Sequence, residues 1–429
     1  MSQSAPVFPR FGPIGLTTSV PSIQRGRGHL ADEVMAIGAF IFLPSEFLMA
    51  DPLRVPFALL WLGYMAANWR SLMPVGIEGK GLFLLPVLCM MSAIWAAMPF
   101  PAFTHGAVMG LGMAVAATVA ARLDARQIVV AIFISQAILA AGSLLTMNTM
   151  MVGGLNGGPA LIGVFPHKNV LAQRMLILGL AACVIFSTRG YRPLLRMAAP
   201  VALILALFLI SQARAATAII LLAGALPLGF GLALIWRPAA AVRGLRPALI
   251  FGSAGVVTLT LLVLTNVFGI NPVDDALASL GKDSTLTGRT VIWSAGNQVI
   301  SENPLLGVGA DNFWHADNPT AARLAQRFWR DDAIFWFHSA YYEVTVHLGF
   351  VGLFVALYVY ARTGLLVVST WWRDQRNAEI FFLLLIVVIF ARSFVESELF
   401  KAMSFSPLLF WTAAFYGIVE KLRRREAAA

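Results

Sequence analysis

The chain has 429 residues, 59% of them hydrophobic and 12% charged, with a formal net charge of +10. A soluble protein carries about 25% charged residues, and no soluble domain could hide this much apolar surface, so a cytosolic globular enzyme, a disordered protein and a disulfide scaffold are excluded. What remains is an all-α polytopic membrane protein, whose positive charge reads as cytoplasmic loops facing anionic lipid of the bilayer, with no nucleic acid as partner.

Residues 1–29 are rich in Ser, Pro and Gly and carry Arg10, Arg25 and Arg27. They read as a flexible cytoplasmic N-terminal tail with no removed signal peptide. Apolar runs follow near 34–50, 53–69, 81–98, 104–121, 128–147, 170–187, 194–211, 214–236, 248–268, 341–369, 378–395 and 402–420. These predict about twelve transmembrane helices, nine within 30–268 and three within 339–422, with 423–429 as a cytoplasmic tail. If the N-terminus is cytoplasmic, the inside segments hold nineteen Lys and Arg, from Arg10 to Arg425. The short outside connections and adjoining helix ends hold six: Arg54, Lys168, Arg174, Arg214, Arg392 and Lys401. That asymmetry fits the positive-inside rule with both termini cytoplasmic. Cys89 and Cys183 each fall inside an apolar run and match no metal-site spacing.

Two outside connections are long. Residues near 148–169 contain Gly153-Gly154 and Gly157-Gly158, a composition that suits a re-entrant loop lining a cavity. Residues 269–338 have a soluble-like composition and predict a large periplasmic loop with helices of its own. One spans Thr290 to Ile300, with Thr287 as N-cap, and a second, amphipathic one covers 319–336. No internal repeat is visible.

A charge in hydrocarbon costs roughly 2.5–3.5 kcal/mol even on the mild insertion scale, so ionisable residues at the outer face need an account. Arg214, in Ser211-Gln212-Ala213-Arg214, is either a snorkelling charge or an anion contact at the mouth of a cavity. Arg289, at the start of the predicted loop helix, is either a solvated charge or a phosphate clamp aided by the helix N-terminus. Arg392 and Glu396 are spaced for an i,i+4 ion pair. Six histidines are present; no His-Glu-x-x-His or Asp-x-Asp occurs, so no metal and no cofactor is expected. His338 ends the polar loop where the chain re-enters the membrane, and a His there can be a general base near neutral pH or a structural residue.

Several motifs then fall in a fixed order. They are Leu286-Thr287-Gly288-Arg289-Thr290-x-x-Trp293, Glu302-Asn303-Pro304-Leu305-Leu306-Gly307-Val308-Gly309, Phe337-His338-Ser339-x-Tyr341 and Leu348-Gly349-x-Val351-Gly352. The run 286–352 resembles the O-antigen ligase and Wzy-type polysaccharide polymerase superfamily, integral membrane glycosyltransferases acting on undecaprenyl-pyrophosphate-linked glycans. Gly163-Val164-Phe165-Pro166-His167-Lys168-Asn169 resembles its exopolysaccharide polymerase branch, and Arg392-Ser393-Phe394-Val395-Glu396-Ser397 a late-helix motif of the family. Relatives usually carry His-Asn where this chain has His338-Ser339.

The resemblance implies a GT-C-like fold in the bacterial inner membrane with a periplasmic active site and metal-independent, inverting transfer. It implies His338 as the base that deprotonates the acceptor hydroxyl. Arg214 and Arg289, then Arg392 and Lys168, with Glu396 beside them, are the candidates for holding pyrophosphate or glycan. Trp314, Trp329, Trp336, Tyr341 and Tyr342 could stack on sugars or anchor the membrane interface. The implied partners are the undecaprenyl-pyrophosphate-linked glycan, the lipid bilayer, and chain-length regulator and export proteins. Three functions compete: a polysaccharide polymerase, an O-antigen ligase whose acceptor is lipid A-core, and a transporter or flippase. A transporter would place ionisable residues in mid-span, and here they gather at the outer face.

Overall fold

A backbone in hydrocarbon has to satisfy its own N–H and C=O groups, so the apolar runs fold as helices. The computed structural model describes residues 30–44, 51–152, 158–215, 218, 221–222, 224–226, 289–315, 317–328, 336–374, 377–394 and 396–428. In chain order these hold α1 (Leu30–Phe42), α2 (Asp51–Ala67), α3 (Trp69–Glu78), α4 (Leu84–Met91), α5 (Pro99–Arg122) and α6 (Ala125–Thr146). A hairpin follows, β1 (Thr149–Val152) and β2 (Gly158–Leu161), and then α7 (Lys168–Ser187) and α8 (Pro193–Gln212). The later elements are α9 (Arg289–Glu302), α10 (Pro319–Phe328), α11 (Ala340–Asp374), α12 (Ile380–Ser393) and α13 (Phe405–Ala428).

Among the described residues, α5, α6, α7, α8 and α11 are long and apolar enough to cross a membrane. The pair Trp69–Glu78 and Lys80–Ile94, bent by 78°, makes a sixth if it is one broken span. The chain is a mostly helical, multi-pass membrane protein. The expected spans near 214–236 and 248–268 fall almost wholly outside the described residues, as do the tail 1–29, the cap Thr287 and Trp329. The run near 81–98 is not one continuous helix. The chain bends ahead of it at Gly79, where a Cβ would lie 2.8 Å from the Phe415 ring.

The helices alternate in direction, so their ends sort into two groups. At one end Arg122 of α5 pairs with Asp32 of α1 at 3.1 Å, and Tyr64 of α2 donates to the same carboxylate. Asp124 and Gln127 form a reciprocal capping box on α6. Glu78 binds Lys421 at 2.6 Å and Arg425 at 3.2 Å, tying α3 to α13. The opposite end gathers the α4–α5 turn, the hairpin, the start of α7, the end of α8, residues 289–315 and the starts of α11 and α13.

α11 is broken. Gly349 has φ +64° and ψ −165°, a non-helical step inside 35 helical residues. A break strands carbonyls on one side and N–H groups on the other. Residues 304–309 satisfy both: Val308 N and Gly309 N donate to the carbonyls of Val346 (3.1 Å) and His347 (2.8 Å). Phe350 N and Val351 N donate to the carbonyls of Pro304 (2.8 Å) and Leu305 (3.2 Å). A Cβ at Gly349 would collide with the Leu305 carbonyl, and one at Gly307 with that of His347. The two glycine motifs are therefore halves of one clasp, and only glycine fits its tightest points.

Beside the clasp lies a second, small core: Ile292, Phe313, Ala321, Leu324, Phe337 and Val346, flanked by Trp293, Trp314 and Tyr342. It folds α9 and α10 onto the start of α11. α10 is described over Pro319–Phe328, residues 329–335 of the expected helix 319–336 lie outside the described residues, and Asn318 caps α10 by accepting from Thr320 N at 3.0 Å. The Gly-rich stretch near 148–169 is a β-hairpin in its described part, with Thr149 opposite Leu161 and Val152 opposite Gly158.

Candidate active site

Four separate stretches converge at the end of the bundle opposite the Arg122–Asp32 pair. His338 precedes α11, Arg289 begins α9, Glu396 follows α12, and His167, Lys168 and Asn169 open α7. The Glu396 carboxylate is the hub: His338 Nδ1 lies 3.5 Å from its Oε2, an Arg289 Nη lies 3.6 Å from its Oε1, and Asn169 Nδ2 donates to Oε1 at 3.3 Å. Both members of the Arg289–Glu396 pair are 18% exposed and the His338 side chain 27%, so the cluster is recessed but reachable.

Burial alone would push the Glu396 pKa up. The hydrogen bond from His338 and the charges of Arg392 and Arg289 outweigh it and hold the carboxyl well below its ordinary value. Burial lowers the Arg289 pKa, with Glu396 opposing and Arg392 adding to the shift; a guanidinium still remains charged at any physiological pH. Burial likewise lowers His167; Glu396 opposes, and the positive charges of Lys168, His338 and Lys401 act in the same direction as burial. The surroundings of one carboxylate thus hold a surplus of fixed positive charge, suited to an anion. His338 turns Nδ1 toward Glu396 and keeps a part-exposed side chain, and an imidazole is the side chain whose proton exchange falls nearest neutral pH.

Of the sequence-predicted residues, His338, Arg289, Glu396 and Arg392 meet here, and Lys168 acts on the same group of charges. Arg392 is 5% exposed, and its carbonyl accepts from Glu396 N at 2.8 Å. The Glu396 side chain turns toward Arg289 and His338 as well as lying four residues after Arg392. Arg214 stands at the same end of the bundle, just beyond the last residue of α8. It takes the left-handed conformation, φ +50°, that ends many helices. Its guanidinium lies against Gly158, whose φ of +143° is a backbone conformation that favours glycine at the start of β2.

Some expectations are corrected. Trp314 and Tyr342 are packing residues of the small core; Trp293 stacks on Tyr342 at 5.2 Å and Trp314 packs on Phe337 at 4.8 Å. Tyr341 packs on Phe394 and accepts from Ser393 Oγ at 3.1 Å. Lys401 covers the Trp336 ring at 4.7 Å. Arg174, grouped by sequence with the outer helix ends, is fully buried in α7. It donates to the Phe40 carbonyl at 3.1 Å and lies 3.9 Å over the Phe405 ring. His347 is buried against Phe400, with Nδ1 2.8 Å from the Glu343 carbonyl. Asn169 and Ser397 stand in the two flanking motifs without a role of their own, and Glu343 stands in none of the motifs. Glu343 could have been found by its type, since an acid just inside an apolar run is costly without a purpose.

A family model described as O-antigen ligase matches residues 199–357, which include Arg214, Arg289 and His338. The chain is also 28% identical over 404 residues to the exopolysaccharide production protein ExoQ of Rhizobium meliloti (strain 1021). That alignment covers 92% of this chain and 89% of the relative. The family match thus begins well ahead of residues 286–352, and the likeness to ExoQ runs through most of the chain.

Proposed function

We propose that the protein is a bacterial inner-membrane glycosyltransferase that polymerises undecaprenyl-pyrophosphate-linked oligosaccharide repeat units into exopolysaccharide or O-antigen. The observation that carries this reading is the convergence of His338, Arg289 and Glu396, with Arg392 and Lys168 near, at one end of the helices. The acceptor sugar hydroxyl gives its proton to His338 Nε2 as its oxygen attacks the anomeric carbon of the donor. The bond from that carbon to pyrophosphate breaks, and undecaprenyl pyrophosphate leaves with the electron pair. Attack opposite the leaving group inverts the anomeric centre. Arg289, with Arg392, Lys168 and Arg214, offsets the charge that grows on the leaving group, so the transfer is metal-independent. Glu396 keeps the imidazole oriented and balances its charge once protonated.

The site faces the periplasm and both termini the cytoplasm, because the Lys- and Arg-rich connections lie at the opposite end. Cysteines introduced at Asp317 and in the tail 1–29 should differ in labelling by an impermeant reagent on intact spheroplasts. Labelling of the tail but not of Asp317 would reverse this orientation.

The likeness to ExoQ, a protein named for exopolysaccharide production, across most of the chain favours polymerase. The O-antigen ligase description supports the second reading, transfer to lipid A-core. A flippase is less well supported: the break in α11, where a transporter would bind cargo, is filled by residues 304–309. Glycan analysis of a deletion strain separates the first two. A polymerase predicts loss of high-mass polymer with lipid-linked single units retained; a ligase predicts loss of glycan from lipid A-core alone.

A further inference from the structure

His338 occupies the left-handed region, φ +51°, a conformation that is unfavourable for a residue with a Cβ. Something has to hold it there. The two flanking residues are pinned by partners from outside the turn. Phe337 N donates to Glu343 Oε2 at 2.8 Å, and the Phe337 carbonyl accepts from Trp293 Nε1 at 2.7 Å. Ser339 N donates to Ser397 Oγ at 3.2 Å. Ser397 in turn hydrogen-bonds the Glu343 side chain, and Trp314 Nε1 donates to Glu343 Oε1 at 3.0 Å. The Glu343 carboxylate is completely buried and therefore gathers three donors, two of them on paths to the backbone on either side of His338.

We infer that Glu343 is a positioning residue for His338: its buried carboxylate, directly through Phe337 N and indirectly through Ser397, sets the turn that aims the imidazole at Glu396. This rests on the proposed role of His338 as base. Capping of α11 does not explain the arrangement, since Glu343 lies beyond the N-cap and reaches back past it to Phe337. A solvated acid in the first turn would serve the helix dipole equally well. Total burial is needed only if the carboxylate must satisfy donors deep in the turn. Glutamine in its place keeps the size but turns an amide N–H₂ toward one of those donors. The resulting repulsion moves the turn, and a misplacement of about 1 Å can cost on the order of 100-fold in rate.

The test is a double-variant cycle on the full-length protein, measuring chain extension of lipid-linked repeat units extracted from a deletion strain, per folded molecule. Glu343→Gln should lower turnover about 10–100-fold while KM for the lipid-linked unit stays within about threefold. Placed on His338→Ala, it should cost nothing further, because a residue that acts through His338 has no effect once His338 is gone. Multiplied losses in the double variant, or a loss confined to KM, would overturn the inference. If Glu343→Gln yields no folded protein, Ser397→Ala carries the same cycle: loss of turnover only when His338 is present supports positioning, and multiplied loss refutes it. Wild-type turnover in His338→Ala alone would remove the base itself, and with it this inference, which sets that failure apart from a failure of positioning.

Discussion

Replacing His338 with Ala or Gln should lower turnover by about 100–10,000-fold, the usual range for loss of a general base, with binding of the lipid-linked donor retained. The imidazole lies with Nδ1 3.5 Å from Glu396 and is part-exposed, and in the proposed mechanism it takes the acceptor proton. In the proposed mechanism the arginines and Lys168, not His338, supply the charge for pyrophosphate, so binding should survive. His347 is the internal control. It lies nine residues on, is 1% exposed and is stacked on Phe400. Its replacement should act mainly on the amount of folded protein and cost far less activity per folded molecule than loss of His338, because it reaches the site only through Glu343. Equal residual activity in the His338 and His347 variants would remove the catalytic assignment.

Arg289→Ala should cost about 2–4 kcal/mol of transition-state stabilisation, or about 30–1000-fold in rate. Arg289→Lys should rescue it poorly, because Lys keeps the charge but loses the planar fork that meets two phosphate oxygens. Two effects add in the Ala variant: the leaving group loses a donor, and Glu396 loses a counter-charge 3.6 Å away, leaving its carboxylate to repel the anion. Normal polymer at normal protein level in Arg289→Ala would reduce the residue to a structural partner of Glu396.

The helices were legible because the hydrocarbon leaves so few alternatives: α5 to α8, α11 and the shorter α12 lie close to their apolar runs. The site was legible where a residue type was out of place. Arg289, His338 and Glu396 each stood out as ionisable at an outer face, and the structure joins them through one carboxylate. What could not be read were contacts between segments far apart in the chain. Asn169 meets Glu396 across 227 positions, and nothing local to either announces it. The glycines of 307–309 and 349 were visible as motifs, but their purpose lies in the clasp around the break in α11. Aromatic residues misled for the complementary reason: Trp314 and Tyr342 have the chemistry of sugar platforms, and only packing reveals that they are core.

The most direct test supplies purified protein only with lipid-linked repeat units extracted from a deletion strain and resolves the products by size and mass. The expected result is a ladder of lipid-linked oligomers growing by whole repeats, with one undecaprenyl pyrophosphate released per new linkage, in the presence of a chelator and without lipid A-core. Failure to form oligomers until lipid A-core is added, with glycan then appearing only on that acceptor, would contradict it.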